Sequence, residues 1–157
     1  MAINWVLALR GLQAVLALVM LGLMAYVATW WTNHWRQMSP TEINFMIFSP
    51  VWTLLALIYL VVAPMKFPAA AHKFAILGAE VLTMFYWFGG FIALAVFLSD
   101  RICFGTVCAV AKAGTAISAF SWAIWAITAI FTVLRTFRGG SRSMGSGEPK
   151  VEMHQGV

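Results

Sequence analysis

Four stretches of this chain are each long and apolar enough to cross a lipid bilayer: residues 5–31, 43–63, 74–98 and 113–134. About 20 apolar residues reach across the hydrocarbon core. No water satisfies a backbone N–H or C=O inside lipid, so a spanning segment must be a helix or part of a closed barrel. The chain has no alternating strand pattern, so all four stretches read as helices. The links are short, which places sequence neighbours antiparallel. The expected fold is an all-α integral membrane bundle of four helices running up-down-up-down over residues 5–138. Residues 139–157, rich in Gly and Ser, read as a disordered tail. A soluble domain carries about 25% charged residues; here 10% are charged and 62% hydrophobic, and little chain is left for a soluble domain.

The first apolar stretch has no basic region before it and is longer than the core of a signal peptide, so it reads as a retained helix. The net charge of +5 is a topology signal. No basic domain exists to hold a nucleic acid. Lys and Arg accumulate on the cytosolic side of short links. Lys66 and Lys73 lie between the second and third stretches, and Arg135, Arg138, Arg142 and Lys150 follow the fourth. The other side has Arg36, Arg101 and Lys112, offset by Glu42 and Asp100. Both termini are therefore expected in the cytosol. Trp30, Trp31 and Trp35 mark the opposite interface, where tryptophan prefers to sit. Pro50 is expected to kink the second helix or free a carbonyl, and Pro64 and Pro68 to bracket the following turn.

Glu80 is the only acidic residue within a span. A carboxylate in lipid pairs with something or marks a pathway. Arg10 is its candidate partner. Counted from Trp5 and Phe74, both residues lie roughly 7–9 Å into their helices at about 1.5 Å per residue, and those helices run in the same direction. Gln13, three residues on, shares the face of Arg10. An Arg10–Gln13–Glu80 cluster would act as a polar clamp. The alternatives are a proton or ion relay, or an Arg10 that snorkels to headgroups. A relay needs further polar steps, and polarity in these helices is expected only in the cytosolic third.

Cys103 and Cys108 fall in the outer link, whose compartment favours a disulfide. Metal binding there lacks a nearby His or further Cys, and a redox pair lacks the C-x-x-C spacing. His34 and His72 lie in links and His154 in the tail, which argues against haem; no cofactor or metal is expected. Ala116, Ala119, Ala123, Ala126 and Ala129 recur at three or four residues along the fourth helix, and Gly89 and Ala93 form a small-xxx-small pair on the third. Such faces serve packing within the bundle or self-association. Arg135, Arg138 and Arg142 are placed to meet lipid headgroups or to stop transfer. No nucleophile–base set, phosphate loop or paired carboxylates is present, so no enzyme is expected.

Together, several of these residues resemble a fungal MARVEL-domain protein. They are Leu9-Arg10-Gly11-Leu12-Gln13 on the first helix, Gly78-Ala79-Glu80 running to Phe85-Tyr86-Trp87-Phe88-Gly89-Gly90 on the third, and two cysteines before the fourth. The resemblance implies four spans, cytosolic termini and no general catalytic residues. It also implies membrane apposition, vesicle traffic or sterol- and sphingolipid-rich microdomains, with eisosome furrows among the fungal members. The expected function is a non-enzymatic scaffold, in the plasma membrane or secretory vesicles. It would assemble laterally as a homo-oligomer, with lipids and other membrane proteins as partners. A small transporter or channel using Glu80, and an accessory subunit of a larger membrane complex, are the alternatives.

Overall fold

The structure, a computed structural model, describes residues 2–36, 38–67, 72–100 and 105–141. These form four helices and, among the described residues, no strand: α1 Ala2–Trp35, α2 Thr41–Lys66, α3 Lys73–Asp100 and α4 Thr106–Ser141. All four are long and apolar enough to span a membrane. At about 1.5 Å per residue, α1 (34 residues) and α4 (36 residues) exceed the roughly 30 Å hydrocarbon core, so they tilt or protrude.

Side-chain pairs set the directions. Arg10 meets Glu80 near one end and Trp31 meets Phe97 at 5.9 Å near the other, so α1 and α3 run parallel. Gly114 of α4 lies against Met20 and Met24, while Thr128 lies against Gln13, so α4 opposes α1. Gly90 lies against Met46, and Leu60 and Ile76 line one cavity, so α2 opposes α3. The helices form a ring in which α1 neighbours α2 and α4, and α3 neighbours α2 and α4. α1 and α3 face each other across its diagonal. One end of the ring carries Lys66, Lys73, Arg135 and Arg138 and is called the basic end; the other carries Trp30, Trp31 and Trp35.

The core is a seam with three- and four-residue steps. On α1 the buried residues are Gln13, Ala17, Met20, Met24 and Val27; on α3 they are Glu80, Thr83, Trp87, Gly90, Leu94 and Phe97. α2 and α4 follow the same rhythm, with Ile43, Met46, Pro50, Thr53, Leu57 and Leu60 on one and Gly114, Ser118, Ser121, Trp125 and Thr128 on the other. This is the spacing of left-handed membrane bundles. Hydropathy alone hides the seam, because the outward residues Leu18, Leu55, Phe85 and Ile130 are apolar too. Two glycines permit close approach. A Cβ on Gly90 would collide with Met46 Sδ, and one on Gly114 would lie 2.6 Å from Met24 Cε.

Several boundaries differ from expectation. α2 continues through Pro50 and through Pro64 to Lys66, so Pro64 belongs to the last helical turn rather than to the link. Each proline removes one N–H, but the helix closes beyond Pro64 with Phe67 N donating to Ala63 O at 3.0 Å. At its start, Pro40 occupies the cap, and its carbonyl accepts from Ile43 and Asn44 at 3.1 Å each. α4 begins at Thr106, directly after Gly105 in a left-handed conformation (φ 77°), so Cys108 and Lys112 lie on the helix. His34 likewise belongs to α1 and stacks on Trp30 at 4.3 Å. α4 runs to Ser141; Pro68, Cys103, Arg142, His154 and the remaining tail lie outside the described residues.

Candidate functional site

Arg10 enters the ring from α1, and its side chain reaches across the diagonal. Its Nη1 donates to Gln13 Oε1 at 2.9 Å, and its Nη2 donates to Glu80 Oε1 on α3. Such a long side chain is required because α1 and α3 are not neighbours in the ring. Gln13 sits one turn above Arg10 on the same face, as the three-residue step dictates. Glu80 is wholly buried, and its second oxygen accepts from Thr128 Oγ1 of α4 at 2.9 Å. Gln13 Nε2 in turn donates to Thr128 Oγ1 at 3.4 Å. The guanidinium lies 5.4 Å from the ring centre of Trp125, within cation–π range.

Thus three helices converge on one carboxylate, and the charges of Arg10 and Glu80 neutralise each other. Among the described residues no buried side-chain nitrogen or oxygen lacks a partner. The arrangement matters because an uncompensated charge here would face hydrocarbon. The fourth helix is tied one turn further on. Trp52 Nε1 of α2 donates to Thr83 Oγ1 at 3.1 Å, and Trp87 Nε1 of α3 donates to Thr53 Oγ1 at 3.0 Å.

The family model of the membrane-associating domain called MARVEL matches residues 3–131. The chain belongs to the MARVEL family. MARVEL domains span the membrane four times, and their proteins are in general membrane-organising and non-enzymatic. No curated protein and no solved structure gives a match. The matched span takes in Arg10, Gln13, Glu80 and Thr128 and ends four residues before Arg135.

In this MARVEL bundle, polarity is not confined to the basic third, contrary to the expectation from sequence. Ser49, Thr53, Ser118 and Ser121 are buried further along the axis. Their hydroxyls donate to carbonyls of their own helices: Ser49 to Phe45 at 3.0 Å, Thr53 to Ser49 at 2.8 Å, Ser118 to Thr115 and Ser121 to Ile117 at 2.9 Å each. Such bonds satisfy a hydroxyl locally without building a chain along the bundle.

The small residues divide. Ala129 is buried, Ala119, Ala123, Ala126 and Ala93 are half-buried, and Gly89 and Ala116 are exposed. Close packing falls instead to Gly90, one residue from Gly89, and to Gly114. Cys108 is buried in the first turns of α4, while its proposed partner Cys103 lies outside the described residues. Arg138 is exposed.

Two cavities open beside Arg10 at the basic end. The larger, about 470 Å³, is lined by all four helices and has Arg10 and Glu80 among its lining residues, with Lys73 and Arg135 at its exposed rim. The smaller, about 130 Å³, lies between α1 and α4 and shares Arg10, Thr132 and Arg135. Sequence reasoning missed Trp125, Thr53 and Thr83, and it saw Thr128 only as a small polar group beside the alanine face, not as a partner of Glu80. The available signal was a polar or aromatic residue three or four steps from another at the same depth.

Proposed function

We propose that this MARVEL protein is a non-enzymatic membrane scaffold that assembles laterally. In this reading both termini are cytosolic, the membrane is the plasma membrane or that of secretory vesicles, and sterol- or sphingolipid-rich domains are its surroundings. Kinship with the fungal eisosome type belongs to the same proposal. One observation carries the reading: among the described residues the buried polar side chains all have partners within the bundle, in one another or in their own backbone, which leaves the outer faces as the working surface. On α4 that surface includes the half-buried Ala119, Ala123 and Ala126 beside the exposed Ala116, a profile that suits helix–helix contact between copies.

The remaining assignments follow from the same orientation. Arg10, Gln13 and Glu80 fasten the helices, Cys103 and Cys108 close a disulfide between the outer link and the first turn of α4, and Arg135, Arg138 and Arg142 meet headgroups. Native mass spectrometry from lipid nanodiscs tests lateral assembly. Defined oligomers that dissociate on substitution of Ala119 and Ala123 with Leu support the scaffold. A monomer in every lipid mixture removes it. The cavity that reaches Glu80 favours a second reading, transport. Proteoliposome flux that disappears in Glu80→Gln would establish transport instead.

A further inference from the structure

The basic-end cavity combines features that the fastening network does not use. Its lining holds three cations, Arg10, Lys73 and Arg135, against one carboxylate, Glu80. Arg10 is engaged with Glu80. Among the described residues, Lys73 and Arg135 form no ion pair, so two positive charges stand at the mouth of the cavity. Behind them the wall is apolar, built from Val6, Leu7, Leu60, Val61, Met65 and Ile76. A volume of about 470 Å³ lies within the usual range of ligand sites, about 300–1,000 Å³.

We infer that this cavity binds the headgroup of an anionic phospholipid from the leaflet at the basic end. Lys73 and Arg135 hold the phosphate, and the apolar wall takes the beginning of an acyl chain. This deepens the proposal that the post-span arginines meet headgroups, and rests on it: Arg135 is moved from a peripheral belt into a built site, while Arg138 stays outside. A basic rim above an apolar wall matches an amphiphile. A free phosphate would use the rim and leave the wall wet.

The hydroxyls refine the specificity. Thr132 Oγ1 donates to Thr128 O at 3.0 Å and Thr136 Oγ1 donates to Thr132 O at 2.8 Å, so neither has a donor left for a ligand. Recognition is therefore by charge rather than by a fixed hydrogen-bond pattern. The site should accept phosphatidylserine and phosphatidic acid alike and discriminate against neutral phosphatidylcholine.

The experiment is lipid titration of the full-length protein in detergent, read by native mass spectrometry. Its probes are phosphatidylserine, phosphatidic acid, phosphatidylcholine and inorganic phosphate. The expected result is retention of both anionic lipids. Lys73→Gln with Arg135→Gln should weaken retention roughly 30-fold, from two charges at about 1 kcal/mol each. Lys66→Gln, exposed at the same end but outside the cavity lining, should change it little. Both rim residues are exposed and unpaired by acid, so a helical spectrum and an unchanged elution volume should accompany the loss. Equal retention of phosphatidylcholine overturns the proposal. So does an equal loss in Lys66→Gln, which would mean a diffuse charge belt. Retention of inorganic phosphate as tight as that of lipid reassigns the site to a soluble anion and overturns the lipid. Because binding is scored on the monomer, failure of lateral assembly and failure of this site give separate results.

Discussion

The two ends of this bundle are held together by different forces. At the basic end, one carboxylate joins three helices through Arg10, Gln13 and Thr128, and a cavity stands beside it. Towards the aromatic end the interior is closed by Met20, Met24 and Met46 packed onto Gly90 and Gly114, with Trp31 against Phe97. The first arrangement is directional: each polar group accepts few positions, and a mispaired register would leave a charge in lipid. The second is adaptable, because thioether chains fit irregular gaps. Since lipid is as apolar as the helix surfaces, apolar burial alone cannot select one rotation of a membrane helix. In the proposed reading the polar end therefore fixes helix rotation, and the methionine end fills whatever space that rotation leaves.

The largest effect is expected at Glu80. Glu80→Leu leaves the Arg10 guanidinium unpaired in the bundle, and loss of one partner of a buried pair costs about 3–5 kcal/mol. We expect that variant to lose the folded fraction in a denaturant titration in detergent, or to be mislocalised. Arg10→Leu together with Glu80→Leu should recover most of the loss, since a matched apolar pair removes both charges. If the double variant is as unstable as the single, the pair is not the fastening point. Glu80→Gln, which keeps the shape but removes the charge, should fall between the two.

The methionine end is probed next by overpacking. Gly114→Val puts two methyl groups against Met24 Cε and Met20, and extra volume in a close-packed core typically costs about 1–3 kcal/mol. Adding Met24→Ala should return part of it, because the colliding atom is the end of a flexible side chain. No rescue would show that the helix backbones themselves meet there. At the basic end the same logic applies to one hydroxyl, which donates to Glu80 and accepts from Gln13 Nε2. Thr128→Val removes the hydroxyl that Glu80 Oε2 accepts from, while keeping the shape. Hydrogen bonds between membrane helices average about 0.6 kcal/mol and reach about 1.7, so a loss near 1 kcal/mol is expected from the same titration. A neutral result would assign the hydroxyl to the Trp125 carbonyl, its other acceptor at 3.1 Å.

Much of this architecture is legible in the amino-acid sequence, and the gaps have physical causes. Four spans follow from length and hydropathy, because backbone satisfaction in lipid leaves little choice. The proximity of Arg10 and Glu80 follows from depth, since charges in lipid are few and must meet. The ring order is not legible: depth gives height along the axis, not position around it, so α1 and α3 could equally have been neighbours. The seam is hidden because small and apolar residues occupy both the inner and outer faces. Gly89 and Gly90 are indistinguishable in sequence, and only the rotation set by Glu80 and Thr83 turns Gly90 inward. Thr128 gives no signal of its own, because a threonine in a membrane helix usually bonds its own backbone, as Thr132 and Thr136 do.

The smallest expected effects lie at the aromatic end, where two links need a left-handed residue. Arg36, just after α1, has φ 47°, with its N–H donating to Thr32 O at 3.1 Å, and Gly105, just before α4, has φ 77°. A side chain in that region costs on the order of 1 kcal/mol or more, whereas glycine enters it freely. Gly105→Ala should therefore destabilise by about 1 kcal/mol. Arg36→Gly removes the same strain but gains chain entropy in the unfolded state, so the expected stabilisation is below about 1 kcal/mol. Both are measurable as shifts in the denaturant midpoint with unchanged slope. A clear loss in Arg36→Gly would show that the arginine side chain itself holds the turn, and the aromatic end would then also owe its order to a charged group.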